Sequence, residues 1–129
     1  MKIVLFVCVR NSGRSQMEEA FFNHLAKGKG VAISAGTKPA AYVNPTVTKV
    51  MLEVGIDISS QKPKPLILKM LENADRVITM GCCGGEICPA SLAPAEGLQV
   101  EDPEGEPIEV VRQIRDEIRN KVVKLVNEL

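Results

Sequence analysis

Residues 3–8, IVLFVC, are apolar at every position and rich in branched side chains, which predicts a strand covered on both faces. The period then changes. Met17, Ala20, Phe21 and Leu25 recur at helical spacing and predict a helix over 15–27, halted by Gly28 and Gly30. VAIS at 31–34 predicts a second strand, with a turn in AGTKPA behind it. Asn44-Pro45 reads as a helix cap followed by the first helical residue, and Val47, Val50, Met51 and Val54 form one apolar face ending at Gly55. A short helix is expected over 65–73 and a strand over 76–80, RVITM.

Periodicity fails at 81–97, GCCGGEICPASLAPAEG, and loops of that length inside a domain are usually functional. A short strand is expected near 98–100. A long helix follows over 107–127, with Val111, Ile114, Ile118, Val122, Leu125 and Leu129 in one stripe. Glu117 and Lys121 make a favourable exposed pair, and the other Arg and Lys residues of this helix read as a solvated face. Alternating strands and helices predict one α/β domain over 1–129, a four-stranded parallel sheet with right-handed crossovers and helices on both faces. Ligands of such sheets bind at the carboxyl ends of strands, and the loop after the first strand begins at Cys8.

Composition narrows the partners. Sixteen basic residues balance 16 acidic ones, so no long-range field favours nucleic acid or a membrane surface. One Tyr, three Phe and no Trp leave almost no stacking platforms for single strands. No apolar run approaches the roughly 20 residues of a membrane span. MKIVLFVCVR meets Arg10 and Asn11 before any small-residue cleavage site, so it reads as a strand rather than a secretion signal, and a cytoplasmic location is expected. In that reducing compartment four cysteines suggest catalysis, metal binding or redox exchange rather than staples.

The loop VCVRNSGRSQ, 7–16, concentrates the chemistry. Amide N–H groups at a helix start lack intrahelical partners, and the helix dipole adds partial positive charge, so the place suits an oxyanion. Gly13 can take positive φ and Asn11 tolerates it, which lets the amides of Val9, Arg10, Asn11, Ser12, Gly13, Arg14 and Ser15 curl inward. Arg14 supplies a planar fork for two oxygens. The same surroundings favour Cys8 as thiolate, and Ser15 can donate its hydroxyl to it. Taken singly, Cys8 could be a small buried hydrophobe and Ser15 an N-cap. Together, the thiol, the five-residue gap, the arginine and the serine on a strand–loop–helix point to a nucleophile.

At these residues the chain resembles the low-molecular-weight protein tyrosine phosphatases and their relatives, the thioredoxin-coupled arsenate reductases. The resemblance extends to ISAGT (33–37), VGIDIS (54–59), ADRVITMGC (74–82), CPA (88–90) and EDPEG (101–105). It departs inside the loop, where the family usually has Gly at position 10 and Cys at position 13; this chain has Arg10 and Gly13. No second thiol can therefore trap Cys8 within the loop. The resemblance implies that Asp102 is the general acid, although Asp-Pro alone also marks an ordinary turn.

The resemblance leaves two activities. The phosphatases usually carry two aromatics after the Asp-Pro pair, where this chain has Glu104 and Gly105, and acidic charge there would repel phosphopeptides. The reductases use two further thiols on a movable segment, because each attacker must line up with the sulfur it hits. The implied cycle runs from Cys8 and arsenate to Cys82, then Cys88, and leaves an 82–88 disulfide for thioredoxin or a similar dithiol protein. Cys83 rivals Cys82, since five residues separate Cys82 from Cys88 and four separate Cys83 from it. The alternative is a low-molecular-weight phosphatase acting on phosphotyrosine or small phosphate esters.

Some relatives hold potassium through an Asn, a Glu, a Ser and an Asp. Asn11, Glu19 and Ser34 match, but Lys64 stands at the Asp position, so its ammonium is expected to replace the cation. No metal or other cofactor is expected, and the chain is expected to be a monomer. Zinc on the four thiols is a rival, though the adjacent pair of cysteines is a poor chelating step. A non-catalytic anion-binding or redox-sensing module is another. His24 reads as packing or surface rather than catalytic.

Overall fold

The structure is a computed structural model that describes residues 2–79 and 103–128, together with the backbone of 96 and 97. Four elements come before the middle of the chain: β1 (Lys2–Cys8), α1 (Arg14–Leu25), β2 (Gly30–Gly36) and α2 (Pro45–Glu53). Then follow α3 (Leu68–Asn73), β3 (Arg76–Thr79), β4 (Glu96–Gly97) and α4 (Ile108–Asn127). The strands run parallel in the order β2-β1-β3-β4. Three of them carry the sheet. Among the described residues β4 adds the pairs Ile78↔Glu96 and Thr79↔Gly97, so the expected four-stranded sheet shows three strands and a two-residue edge there. The predicted strand at 98–100 lies outside the described residues.

β1 is central and its side chains serve both faces. Val4, Phe6 and Cys8 join the cluster that includes Met17, Phe22, Val50 and Ile118, beneath α1, α2 and α4. Leu5 and Val7 point the other way, into a smaller cluster with Ala35, Val77 and Leu71 of α3. This is why the run reads as apolar without alternation. The ring of Phe6 meets that of Phe22 edge-on, with centroids 6.1 Å apart.

The boundaries shift where backbone pairing overrides local signals. β2 runs over 30–36 rather than 31–34, because it pairs with β1 along its whole length, from Lys2↔Gly30 to Cys8↔Gly36. Gly36 suits this place because a Cβ there would lie 2.5 Å from the carbonyl oxygen of Val9. The short helix begins at Leu68, not residue 65, because Gly36 N–H donates to Lys64 O (2.8 Å) and Leu66 N–H to Gly36 O (2.9 Å), which holds 64–66 extended. α1 starts at Arg14 rather than 15 and ends at Leu25 rather than 27, with Gly28 at φ +84° beyond it. α2 matches its reading. Asn44 Oδ1 accepts the Thr46 N–H at 2.9 Å and Pro45 is the first helical residue.

The reading of α4 needs one correction. Val111, Ile114, Ile118, Val122 and Leu125 of its stripe are buried as expected, Leu129 lies outside the described residues, and Lys121 Nζ lies 3.2 Å from Glu117 Oε1. Arg115, however, is not on the solvated face. It is 9% exposed and donates Nη1–H to Val50 O (2.9 Å) and to Glu53 Oε1 (3.0 Å). A guanidinium tolerates that position because its donors find acceptors at the end of α2. No described helix is long and apolar enough to cross a membrane.

Candidate active site

β1 ends at Cys8 and α1 begins at Arg14, so residues 9–13 must turn the chain while facing other elements. What surrounds them fixes their orientation. The carbonyls of Cys8, Val9, Arg10 and Ser12 accept the N–H groups of Thr37, Lys38, Ala40 and Asn44, at 2.8–3.1 Å. The carbonyl of Asn11 accepts Gln16 Nε2–H at 2.9 Å, and that of Gly13 accepts the Met17 N–H at 3.0 Å. Every carbonyl from 8 to 13 is thus engaged on the outside of the curl. In a planar trans peptide the N–H opposes the C=O, so the amides are left facing inward. Inside is a cavity of about 200 Å³ lined by Cys8, Val9, Arg10, Ser12, Gly13 and Arg14. Its shape, and the start of α1 beneath it, suit a tetrahedral anion.

Asn11 makes the curl possible. It is fully buried and its φ is +52°, the left-handed region that Asn adopts more readily than most residues. In that conformation its N–H reaches Cys8 Sγ at 3.1 Å, while its side-chain Nδ2 donates to Ser15 Oγ at 2.7 Å. Ser15 Oγ lies 2.8 Å from the same sulfur. Cys8 itself is 3% exposed. A buried thiol ringed by donors differs from a buried hydrophobe, which needs none. Ser15 is not the N-cap either. That position falls to Gly13, and Ser15 sits in the first turn with its hydroxyl on sulfur.

Gly13 departs from expectation. Its φ is −140°, so positive φ is not the reason for glycine. Pro103 is, since its Cγ would lie 2.8 Å from any Cβ at residue 13. Glu104, next along, sits 3.4 Å from Arg10 and 3.5 Å from Asn44 Nδ2. These contacts bind the 103–106 turn to the loop across a wider cleft of about 620 Å³, into which Tyr42 and Thr46 also face. Of the residues named from the sequence, the structure brings together Cys8, Val9, Arg10, Asn11, Ser12, Gly13, Arg14 and Ser15. Asp102, Cys82, Cys83 and Cys88 lie outside the described residues. His24 is exposed at the end of α1.

The positions matched to the potassium set also converge. Ser34 Oγ donates to Glu19 Oε1 at 3.1 Å, Lys64 Nζ lies 3.5 Å from the same oxygen, and the Lys64 N–H donates to Asn11 Oδ1 at 2.8 Å. Three residues escaped sequence reasoning. Gln16 and Gln61 are joined side chain to side chain, and Gln16 braces the Asn11 carbonyl. Polar residues at such spacing carry no signal in periodicity. The third is Glu18, fully buried with neither carboxyl oxygen hydrogen-bonded among the described residues. Burial pushes its carboxyl well above the usual range, against the opposing pull of Arg14 and Lys121. Its signal was present, since Glu18 lies on the helix face one turn from Arg14, but a Glu on a helix usually reads as surface.

A cysteine closing a central parallel strand, beneath a ring of inward amides and a helix start with an arginine, defines a class of α/β proteins that hold oxyanions against a thiol. Within that class the chain belongs to the low molecular weight phosphotyrosine protein phosphatase family, whose sequence model matches residues 3–129. A glutaredoxin arsenate reductase from Synechocystis sp. is 39% identical over 131 residues, covering 100% of this chain and 99% of that protein. A solved arsenate reductase in its phosphate-binding state is 38% identical with a TM-score of 0.86, over 99% of this chain and 98% of the other. A thioredoxin-dependent arsenate reductase from Corynebacterium glutamicum is 32% identical with a TM-score of 0.81, over 99% of this chain and 61% of that one.

Proposed function

We propose that this chain is an arsenate reductase that works as a single domain and a monomer in a reducing, cytoplasmic setting. The observation that carries the reading is the Cys8 sulfur, which meets the Asn11 N–H at 3.1 Å and the Ser15 hydroxyl at 2.8 Å at the base of a loop whose carbonyls all face away. Arsenate lies in that loop on the amides of residues 9–15, with Arg14 across two of its oxygens. The Cys8 thiolate attacks arsenic and forms an S–As bond. The As–O bond to a hydroxyl breaks, and that hydroxyl departs as water with its second proton supplied by Asp102. Cys82, or Cys83, then attacks the Cys8 sulfur. The S–As bond breaks, its electron pair stays on arsenic, and As(V) leaves as arsenite, As(III). Cys88 attacks the new disulfide, frees Cys8 and leaves a bridge between Cys88 and Cys82, or Cys83 if that was the attacker. Thioredoxin or a similar dithiol protein returns that bridge to two thiols.

Support for a reductase over a phosphatase comes from two sides. Three cysteines follow β3, and Glu104 and Gly105 stand where the phosphatases resembled carry aromatics. Two of the relatives above are named for arsenate reduction with a glutaredoxin or a thioredoxin. The deciding assay supplies arsenate and, separately, p-nitrophenyl phosphate in the presence of a thioredoxin system. Arsenate-dependent oxidation of the donor is expected. Efficient ester hydrolysis without donor turnover would reverse the reading. Lys64 serves in place of potassium, so turnover in sodium buffer is expected to stay level when potassium is added. A large rise would remove that role.

A further inference from the structure

The sense of each hydrogen bond behind the sulfur can be worked out from the acceptors around it. Gln16 Nε2 lies 2.9 Å from Asn11 O, 3.0 Å from Asn11 Oδ1 and 3.1 Å from Lys62 O. All three are acceptors, so the amide nitrogen must face them, and Oε1 faces outward. There Gln61 Nε2 donates to it at 2.5 Å. Asn11 is sorted in the same way. Its Oδ1 also takes the Lys64 N–H at 2.8 Å, so Nδ2 faces Ser15 Oγ, 2.7 Å away. A hydroxyl carries one hydrogen. With Asn11 already donating to its oxygen, Ser15 has its own hydrogen free for Cys8 Sγ.

We propose that Gln61 and Gln16 are positioning residues that raise the nucleophilicity of Cys8 through a one-way relay of donors. The relay runs Gln61 to Gln16, Gln16 to Asn11, Asn11 to Ser15, and Ser15 to sulfur. Each step reinforces the orientation that Asn11 O, Lys62 O and the Lys64 N–H favour, and the last delivers a hydrogen to the sulfur that a thiolate accepts and a thiol does not need. Neither glutamine lines the anion cavity, and Gln16 meets the loop through the carbonyl and side-chain oxygens of Asn11. The proposal rests on Cys8 being the nucleophile.

The test is the rate at which iodoacetamide alkylates Cys8 in the reduced full chain at neutral pH. Peptide mass spectrometry separates Cys8 from Cys82, Cys83 and Cys88. Gln16→Met keeps the volume and removes the amide, and a slowing of about tenfold is expected. Gln61→Met removes only the outermost donor and should slow the reaction about twofold to threefold. Gln61→Glu is the discriminating variant. A carboxylate can only accept, so it turns Gln16 Nε2 outward and sets Gln16 Oε1 against the two Asn11 oxygens. Gln61→Glu is therefore expected to be slower than Gln61→Met, although glutamate is closer to glutamine in shape and polarity. A residue that merely filled space would give the opposite order.

Equal rates for the two Gln61 variants, or wild-type rates for both, would overturn the relay. Gln61 is half-buried, so that pair decides the matter even where Gln16→Met fails to fold. Wild-type Cys8 reacting no faster than free cysteine would overturn the nucleophile and the relay together. A fast wild type with indifferent variants would overturn the relay alone.

Discussion

Glu53 and Cys8 both sit where hydrogen bonds converge, and they show two uses of polar groups. Glu53 takes Nε and Nη2 of Arg112, at 3.0 and 2.7 Å, and Nη1 of Arg115 at 3.0 Å. Arg112 is the main reason its carboxyl is lowered to about 2. Yet the Glu53 side chain is 32% exposed and borders none of the cavities described above. It ties α2 to α4, and water and salt screen that tie. Cys8, Asn11, Ser12 and Ser15 are buried, the bonds behind the sulfur run in one direction, and Asn11 occupies the left-handed region. A displaced titration therefore marks a structural clasp as readily as a site. In this chain the site is marked by burial, donor sense and backbone conformation.

That contrast can be broken at the loop first. Asn11→Ala removes the side chain that suits positive φ and three of its hydrogen bonds, a loss of about 3 kcal/mol or roughly a hundredfold in arsenate turnover. Steady-state kinetics would check this, and a loss under threefold would mean the loop holds its shape without Asn11. Gly13→Ala drives a Cβ against Pro103 and should cost about 1–3 kcal/mol in urea unfolding. An unchanged midpoint would show that the 103–106 turn gives way freely.

Glu18 sharpens the comparison, because it is buried like Cys8 and Asn11 but neither of its carboxyl oxygens is hydrogen-bonded among the described residues. Glu18→Met should stabilise the fold by about 1–2 kcal/mol at neutral pH by removing a buried carboxyl that makes no hydrogen bond among the described residues. The sign follows from its raised titration. The folded state holds the proton more tightly, so Glu18 is harmless below the ordinary value of 4.5 and increasingly costly as pH rises. The stabilisation should therefore shrink towards pH 4, and a pH-independent gain would point to packing instead.

The smallest effect belongs to Glu53. Its folded value of about 2 lies below the ordinary 4.5, so its contribution is present above 4.5 and fades as pH falls towards 2. Glu53→Gln should flatten that stretch of the acid-unfolding curve in dilute buffer and change it little in concentrated salt. Arsenate turnover should not move. A fall in turnover would link the α2–α4 clasp to the site after all.

Much of this was legible along the chain, for reasons particular residues make plain. β1, α2 and the stripe of α4 declare themselves because burial imposes a period on apolar side chains. Cys8, Arg14 and Ser15 stood out because their spacing puts a thiol, a guanidinium and a hydroxyl around one turn. Arg115 was misread because a charge on a helix looks alike whether its acceptors are water or Val50 O and Glu53. Gly13 was read for its freedom at φ, when the reason lies 90 residues away at Pro103.

The amino-acid order by itself determined the parallel α/β plan, the loop after the first strand and the kinds of side chain placed in it, because those follow from local period and spacing. Only the tertiary structure decided which way the loop faces. Its carbonyls are held by backbone N–H groups of Thr37, Lys38, Ala40 and Asn44, and a main-chain donor leaves no mark in the identity of the residue that supplies it. The pairing of Gln61 with Gln16 was settled at the same level, by segments 45 residues apart meeting in space.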